Sequence, residues 1–184
     1  MPNHVKASPE VRQLLKTLQE SFHPHLNQAK IALEFVDSKA YIKDRLNLGK
    51  VFKFSKANKL WMPNEAKYDF CISICADVWF SLLNEKQRRA ILDLHLTCCQ
   101  VEYEPNSVVE NGKKIVVKDE FGRTEYTDKF KCDDEGCPVW KKAPLDAIAF
   151  ASNVKRFGVW YDDLMEIKQA IVDHEVSAVE AVNA

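Results

Sequence analysis

The chain has 184 residues, a length typical of one domain (residues 1–184) that can bury a core without covalent staples. Its net charge of −1 and pI near 6.5 give no basic footprint, so we expect no nucleic-acid partner. No apolar run approaches the ~18 residues of a membrane span, and the first ten residues lack the apolar centre of a signal peptide. We therefore expect a cytoplasmic protein without a membrane partner, whose six cysteines are thiols or metal ligands rather than disulfides.

The first elements of the chain are predicted to be a helix and three strands. Ser8 and Pro9 form a typical N-cap and first helical position, and apolar residues continue at helical spacing to Phe22. His23 and His25 flank a proline after this helix, and we interpret them as a solvated turn. Apolar and β-branched residues then predict strands at residues 29–37, 48–54 and 68–75.

A second helix is predicted to follow the third strand. Asn84 and Gln87 have the spacing of a capping box, in which each side chain bonds the backbone N–H of the other residue. We expect this helix to continue to about residue 101. Its buried stripe is predicted to consist of Ile91, Leu94, Cys98 and Val101.

A long, charged and turn-rich insertion is predicted at residues 102–142. Within it, residues 114–118 and 123–127 have the alternation of two short strands, with Gly122 in the turn between them. The sequence therefore predicts a β-hairpin formed by these two segments.

The C-terminal part, residues 143–176, is predicted to be helical. One helix starts after Pro144, breaks at Gly158 and resumes to the end of this range, and residues 177–184 are typical of a frayed tail. With the helix, strands and helix of residues 8–101, this order predicts an α+β fold. Its helices are expected to pack on a short mixed sheet.

Four stretches of the chain, in this order, resemble the putative phage metallopeptidase family. They are SFHPHLNQAKIALEF, YDFCISICADVW, EKQRRAILDLHLTCC and PLDAIAFASNVKRFGVW. The resemblance implies a small zincin-like domain. In such a domain the third stretch is the helix that carries an HExxH motif, and the fourth carries a further zinc ligand.

The positions at which the resemblance places the metal site do not carry its residues. The two histidines of HExxH correspond to Leu94 and Cys98, the catalytic glutamate to His95, and the later ligand to Leu145. The neighbouring residues keep the pattern of the family, namely Asp93, Leu96, Asp146 and Phe150. The resemblance therefore implies a catalytically inactive protein without a metal cofactor, since leucine has no atom that coordinates zinc.

Two alternatives keep chemistry in this chain. The first is a zinc site of different composition, with His95 and Cys99 spaced i, i+4 on the helix and Cys132 and Cys137 around a turn. The second is a cysteine nucleophile, in which Cys98 or Cys99 forms a thiolate pair with His95. The second alternative lacks a third residue that would orient the histidine.

The interpretation we favour is a phage protein that binds a host protein, for example to inhibit a defence system or to redirect a host enzyme. This step is an analogy from the resemblance. Long polar insertions often carry function, so the aromatic residues of residues 102–142 are the candidate anchors: Tyr103, Phe121, Tyr126, Phe130 and Trp140. The four tryptophans, Trp61, Trp79, Trp140 and Trp160, are predicted to be mostly core residues, and exposure of any one of them would indicate a partner surface.

Overall fold

The structure is a computed structural model that describes residues 3–43, 45–63, 67–110, 113–144 and 147–160, with residues 165, 168–169 and 172. The helices are α1 (Pro9–Phe22), α2 (Lys56–Leu60), α3 (Glu85–Cys98) and α4 (Ala147–Phe157), with a 3-10 turn at Pro24–Leu26 and a π-helical segment at Val78–Leu82. The strands are β1 (His4–Lys6), β2 (Ile31–Val36), β3 (Tyr41–Ile42), β4 (Arg45–Leu46), β5 (Lys50–Lys53), β6 (Phe70–Cys75), β7 (Cys99–Val101), β8 (Tyr103–Pro105), β9 (Ser107–Glu110), β10 (Lys113–Val116), β11 (Tyr126–Phe130) and β12 (Trp140–Lys142). This content confirms the predicted α+β class.

A four-stranded mixed sheet in the order β1-β2-β6-β5 forms the base of the fold. Strand β6 runs parallel to β2, from the pair Ile31–Phe70 to the pair Val36–Cys75, and antiparallel to β5. All six residues of β6 are buried because strands flank it on both sides and side chains cover both faces. The three strands predicted before residue 76 are confirmed, each with shorter bounds than expected.

A glycine is required where the chain enters β5. Gly49 has a φ of +91°, and a Cβ atom on it would lie 2.2 Å from the carbonyl oxygen of Ser73 in the neighbouring strand. A side chain at this position would therefore push β5 away from β6.

Both long helices of the first half start as predicted. The Ser8 hydroxyl accepts a hydrogen bond from the backbone N–H of Val11. The capping box of α3 is complete, with 2.9 Å from each side chain to the other residue's backbone nitrogen in the Asn84–Gln87 pair. The predicted end of α3 near residue 101 is wrong, because the chain extends at Cys99 and residues 99–101 pair with β12 instead.

The predicted hairpin of the insertion is also wrong in its pairing. Strand β10 pairs with β9, and β11 pairs with β8, so the two predicted partners belong to different two-stranded sheets. Only the bridge between Lys118 and Thr124 remains of the expected pairing. Residues 107–110 pair with β10 because Val108 and Val109 have high strand propensity and directly precede it in the chain.

The helices cover the sheet and enclose one continuous core. Helix α4 ends at Phe157, and Gly158 follows with a φ of +73° and a hydrogen bond from its N–H to the Val154 carbonyl, which confirms the predicted break. Leu145, Asp146 and most of the helix predicted after Gly158 lie outside the described residues. No helix among the residues that the structure describes is long and apolar enough to cross a membrane.

Candidate functional site

The positions of α3 at which the resemblance places the metal site lie in the interior of the protein. Leu94 and His95 have no exposed surface, and Cys98 is 2% exposed. Helix α3 lies between the sheet, α1 and α4. The described residues therefore cover these side chains and separate them from solvent.

The imidazole of His95 is fixed by one hydrogen bond. Its Nε2 lies 2.7 Å from the carbonyl oxygen of Leu48, and because a carbonyl only accepts, Nε2 carries the proton. The Nδ1 atom has no hydrogen-bond partner among the described residues. Burial lowers the pKa of His95 and the nearby charge of Lys142 lowers it further, against the opposing effect of the Leu48 carbonyl. His95 is therefore neutral at physiological pH.

The two cysteines at the end of α3 behave as buried thiols. The Sγ atom of Cys98 lies 3.6 Å from the carbonyl oxygen of Leu94, and that of Cys99 lies 3.5 Å from the carbonyl oxygen of His95. Burial raises the pKa of Cys99 well above its usual range. The thiolate that a nucleophile requires is thus disfavoured at Cys99, and both sulfurs bond helix carbonyls rather than the His95 ring.

A buried carboxylate beside this helix face organises the polar contacts of the interior. Asp93 has no exposed surface. Its Oδ1 lies 2.9 Å from His23 Nε2, and its Oδ2 accepts hydrogen bonds from Asn153 Nδ2 at 2.8 Å and from Arg156 Nη2 at 2.7 Å. The Asn153 oxygen in turn accepts a bond from the indole N–H of Trp160 at 2.7 Å. The end of α1, the centre of α3 and helix α4 therefore meet at one carboxylate.

The electrostatics of Asp93 follow from these contacts. Burial by itself raises the pKa of its carboxyl group, but the hydrogen bonds from His23, Arg156 and Asn153 outweigh that effect and leave the pKa below the usual value. The carboxylate is therefore charged, and the guanidinium of Arg156, whose side chain is 23% exposed, is its permanent counter-charge.

This network is not predicted by any sequence motif. The prediction of a solvated turn is wrong for His23, since His23 is 4% exposed and bonds Asp93. The available signal was Asp93 itself: a charged residue within the apolar run ILDLHL is rarely buried without partners. Which residues those partners are could not be read from the sequence, because they lie 60 to 70 positions away.

The alternative zinc site is not assembled in the structure. His95 and Cys99 are buried, whereas Cys132 and Cys137 are exposed on a turn of the insertion. Among the described residues, the one group of three possible ligands within 4.8 Å of each other is Asp133, Glu135 and Cys137. The Asp133 carboxylate already accepts two backbone N–H groups, at 2.9 and 3.0 Å, and pairs with Lys56 at 2.9 Å.

The candidate anchors of the insertion divide into exposed and buried side chains. Phe121 is 72% exposed, Tyr126 64% and Tyr103 37%. Phe130 is half-buried and packs edge-on against Tyr103. The prediction of Trp140 as an exposed anchor is wrong, since its side chain is 7% exposed and packs against Phe70 in the core. An open cavity of about 550 Å³ adjoins Tyr103 and Tyr126.

Comparisons with known proteins give one match. The family model described as putative phage metallopeptidase matches residues 3–175. No curated protein and no solved structure matches the chain.

Proposed function

The chain belongs to the putative phage metallopeptidase family, and from the side chains at its motif positions we propose that it is a non-catalytic member that works by binding a host protein. The observation that carries the proposal is the condition of α3. Where the resemblance requires the first zinc ligand, the chain has Leu94, and this side chain is completely buried.

The residues present do not fit a catalytic zinc ion. A zincin requires two imidazoles one helical turn apart and a glutamate that takes a proton from the metal-bound water. Leu94 offers no donor atom, and His95, at the glutamate position, holds its Nε2 proton against the Leu48 carbonyl. Of the three positions at which the resemblance places zinc ligands, only Cys98 has a coordinating atom, and one ligand does not retain zinc in a position open to substrate.

The Asp93 network supports a binding role because it fixes the arrangement of the helices without a metal ion. It ties α1, α3 and α4 together through charged and neutral hydrogen bonds. In a zincin, a metal ion bound by residues of both helices would hold the equivalent of α3 against the later helix. The retained Asp93 therefore gives the helices a fixed arrangement that is independent of zinc.

The surface we propose for the host partner is the insertion between α3 and α4. It presents Tyr126 and Tyr103 at an open cavity and Phe121 as a further exposed aromatic residue, and aromatic side chains are the usual anchors of protein interfaces. Inhibition of a host defence or redirection of a host enzyme in the host cytoplasm is the role we propose for this interaction.

The test is capture of the partner from infected host cells by the tagged protein. We expect a folded His95→Ala, Cys98→Ser, Cys99→Ser variant to capture the same host protein as the wild type, and a Phe121→Ala, Tyr126→Ala variant to lose it. Zinc analysis of the purified protein accompanies the experiment. Stoichiometric zinc, or loss of phage fitness with the His95→Ala variant while the fold is intact, contradicts the proposal.

A further inference from the structure

One segment of the chain has a charge opposite to that of the remainder. Residues 39–67 contain seven lysines and one arginine against two acidic residues, although the whole chain has a net charge of −1. The segment includes the row Lys50, Lys53, Lys56 and Lys59, with a lysine at every third position. This concentration of positive charge was hidden in the overall composition.

The fold gathers four lysines of this segment, together with Lys30, around one cleft. A cleft of about 510 Å³ lies between α2 and the turn at residues 133–137 of the insertion, and five lysines line it: Lys30, Lys53, Lys56, Lys59 and Lys67. The cleft is thus continuous with the insertion that we propose as the partner surface.

Not all of this charge is neutralised within the protein. Lys56 pairs with Asp133, and Lys59 pairs with Asp69 at the edge of the sheet. Lys30, Lys53 and Lys67 form no ion pair with any of the described residues. Three ammonium groups therefore remain available to an acidic ligand.

Two large exposed apolar side chains directly follow a lysine of the cleft in the chain. Trp61 is 88% exposed and Leu60 is 78% exposed, and both directly follow Lys59 at the end of α2. The other three tryptophans are each at most 7% exposed. An exposed tryptophan is rare outside interaction surfaces, since burying it releases a large apolar area.

We propose that this cleft, formed by the lysines around α2, and the exposed Trp61 that ends α2 together bind an acidic segment of the partner protein that carries a large apolar side chain. Charge complementarity supplies the attraction and orientation, and Trp61 with Leu60 supplies the apolar contact. The inference rests on the proposed binding function and names the chemistry of the partner.

A protein segment fits the cleft better than a nucleic acid or a membrane. Three carboxylates, from Asp69, Asp133 and Glu135, line the same cleft as the lysines. Fixed carboxylates repel a uniformly charged phosphate backbone, whereas a peptide can place its own acidic residues beside the free lysines only. A concave cleft also cannot follow the flat surface of an anionic bilayer.

The experiment measures binding of a fluorescein-labelled acidic peptide of glutamate and aspartate with a central leucine pair, by fluorescence anisotropy. We expect saturable binding that weakens as salt is raised. The variant Lys30→Glu, Lys53→Glu, Lys67→Glu should weaken it by about tenfold or more, through loss of three charge pairs. Trp61→Ala should weaken it by about tenfold, and bound peptide should protect Trp61 from iodide quenching.

The matched control changes the net charge equally at a distance from the cleft. The variant Lys6→Glu, Lys16→Glu, Lys155→Glu alters three exposed lysines that do not line it, and we expect binding within about twofold of wild type. Far-UV circular dichroism verifies that both triple variants are folded.

The outcomes separate this inference from the proposed function. Loss of peptide binding in the cleft variant alone supports the acidic-segment site. Equal losses in both triple variants, no loss in either, or tighter binding of a single-stranded oligonucleotide or anionic vesicles overturns it. Undiminished capture of the host protein by the cleft variant also overturns it and leaves the binding function standing. Failure of the wild type to capture any host protein contradicts the proposed function instead.

Discussion

Replacing Asp93 by asparagine tests whether one carboxylate holds the three helices together. The substitution keeps the size and shape of the side chain but removes its charge and one of its two acceptor oxygens. His23, Asn153 and Arg156 all bond the carboxylate. In the variant the single amide oxygen can face either His23 or the pair Asn153 and Arg156, and the NH₂ group, itself a donor, then faces the other side, so at least one donor loses its acceptor.

The expected loss of stability follows from the burial of this network. Breaking a buried ion pair by removing one partner costs about 3–5 kcal/mol, since the remaining charge stays without compensation. The Arg156 side chain is 23% exposed in the folded protein, so in the variant its guanidinium can be partly hydrated. We therefore expect Asp93→Asn to lower the free energy of unfolding by about 3 kcal/mol, near the lower end of that range.

The measurement is urea unfolding followed by tryptophan fluorescence, with Glu85→Gln as the matched control. Glu85 lies in the same helix and undergoes the same carboxylate-to-amide change, but its side chain is 84% exposed in a surface pair with Arg89. Such a pair contributes little, and we expect the control within about 1 kcal/mol of the wild type. A loss for Asp93→Asn no larger than that of Glu85→Gln would refute the reasoning that this carboxylate joins the helices.

Three further predictions follow from the geometry. Leu94→Ala should lower the free energy of unfolding by about 2–5 kcal/mol in urea, as expected for a fully buried leucine, and a loss below about 1 kcal/mol would contradict its core position. Gly49→Ala should destabilise more than Gly122→Ala: both glycines have positive φ, but only at Gly49 does a Cβ meet the neighbouring strand, so equal losses in the melting temperature would contradict the close approach. The pKa of Asp93 is lowered in the folded state, so its stabilisation is present above the unfolded value of 3.8 and is lost as the pH falls through the folded pKa. In acid titrations the wild type should therefore lose its advantage over Asp93→Asn as the pH falls, and an advantage that stays constant throughout the acid titration would contradict the assignment.

The parts of the fold that the sequence predicted depend on neighbouring residues. The capping box at Asn84 and Gln87, the N-cap at Ser8 and the break at Gly158 all act within a few positions, and the structure confirms each. Strand β6 was predicted from its own apolar residues. These features depend only on hydrogen bonds and apolar spacing among residues a few positions apart, and such relations can be read directly from the sequence.

The parts that failed depend on competition between distant segments. The end of α3 was misjudged because β12, some forty positions later, pairs with Cys99–Val101 and draws them out of the helix. The predicted hairpin failed because β11 pairs with the more distant β8, while β10 pairs with β9, which directly precedes it. The same holds for the site: the sequence shows that Leu94, His95 and Cys98 do not form an HExxH motif, but the partners of Asp93 become visible only in three dimensions.

The Asp93 network has a consequence for the order in which the chain folds. Its members are separated by 70 positions from His23 to Asp93 and by 63 from Asp93 to Arg156, so the contacts close long loops. During synthesis, α3 leaves the ribosome long before the donors of α4 exist, and until then Asp93 is better solvated than buried. The core around α3 can therefore close fully only after the insertion and α4 have been made. Folding of the two halves is thereby coupled, and chains truncated before residue 153 are expected to remain open and sensitive to proteases.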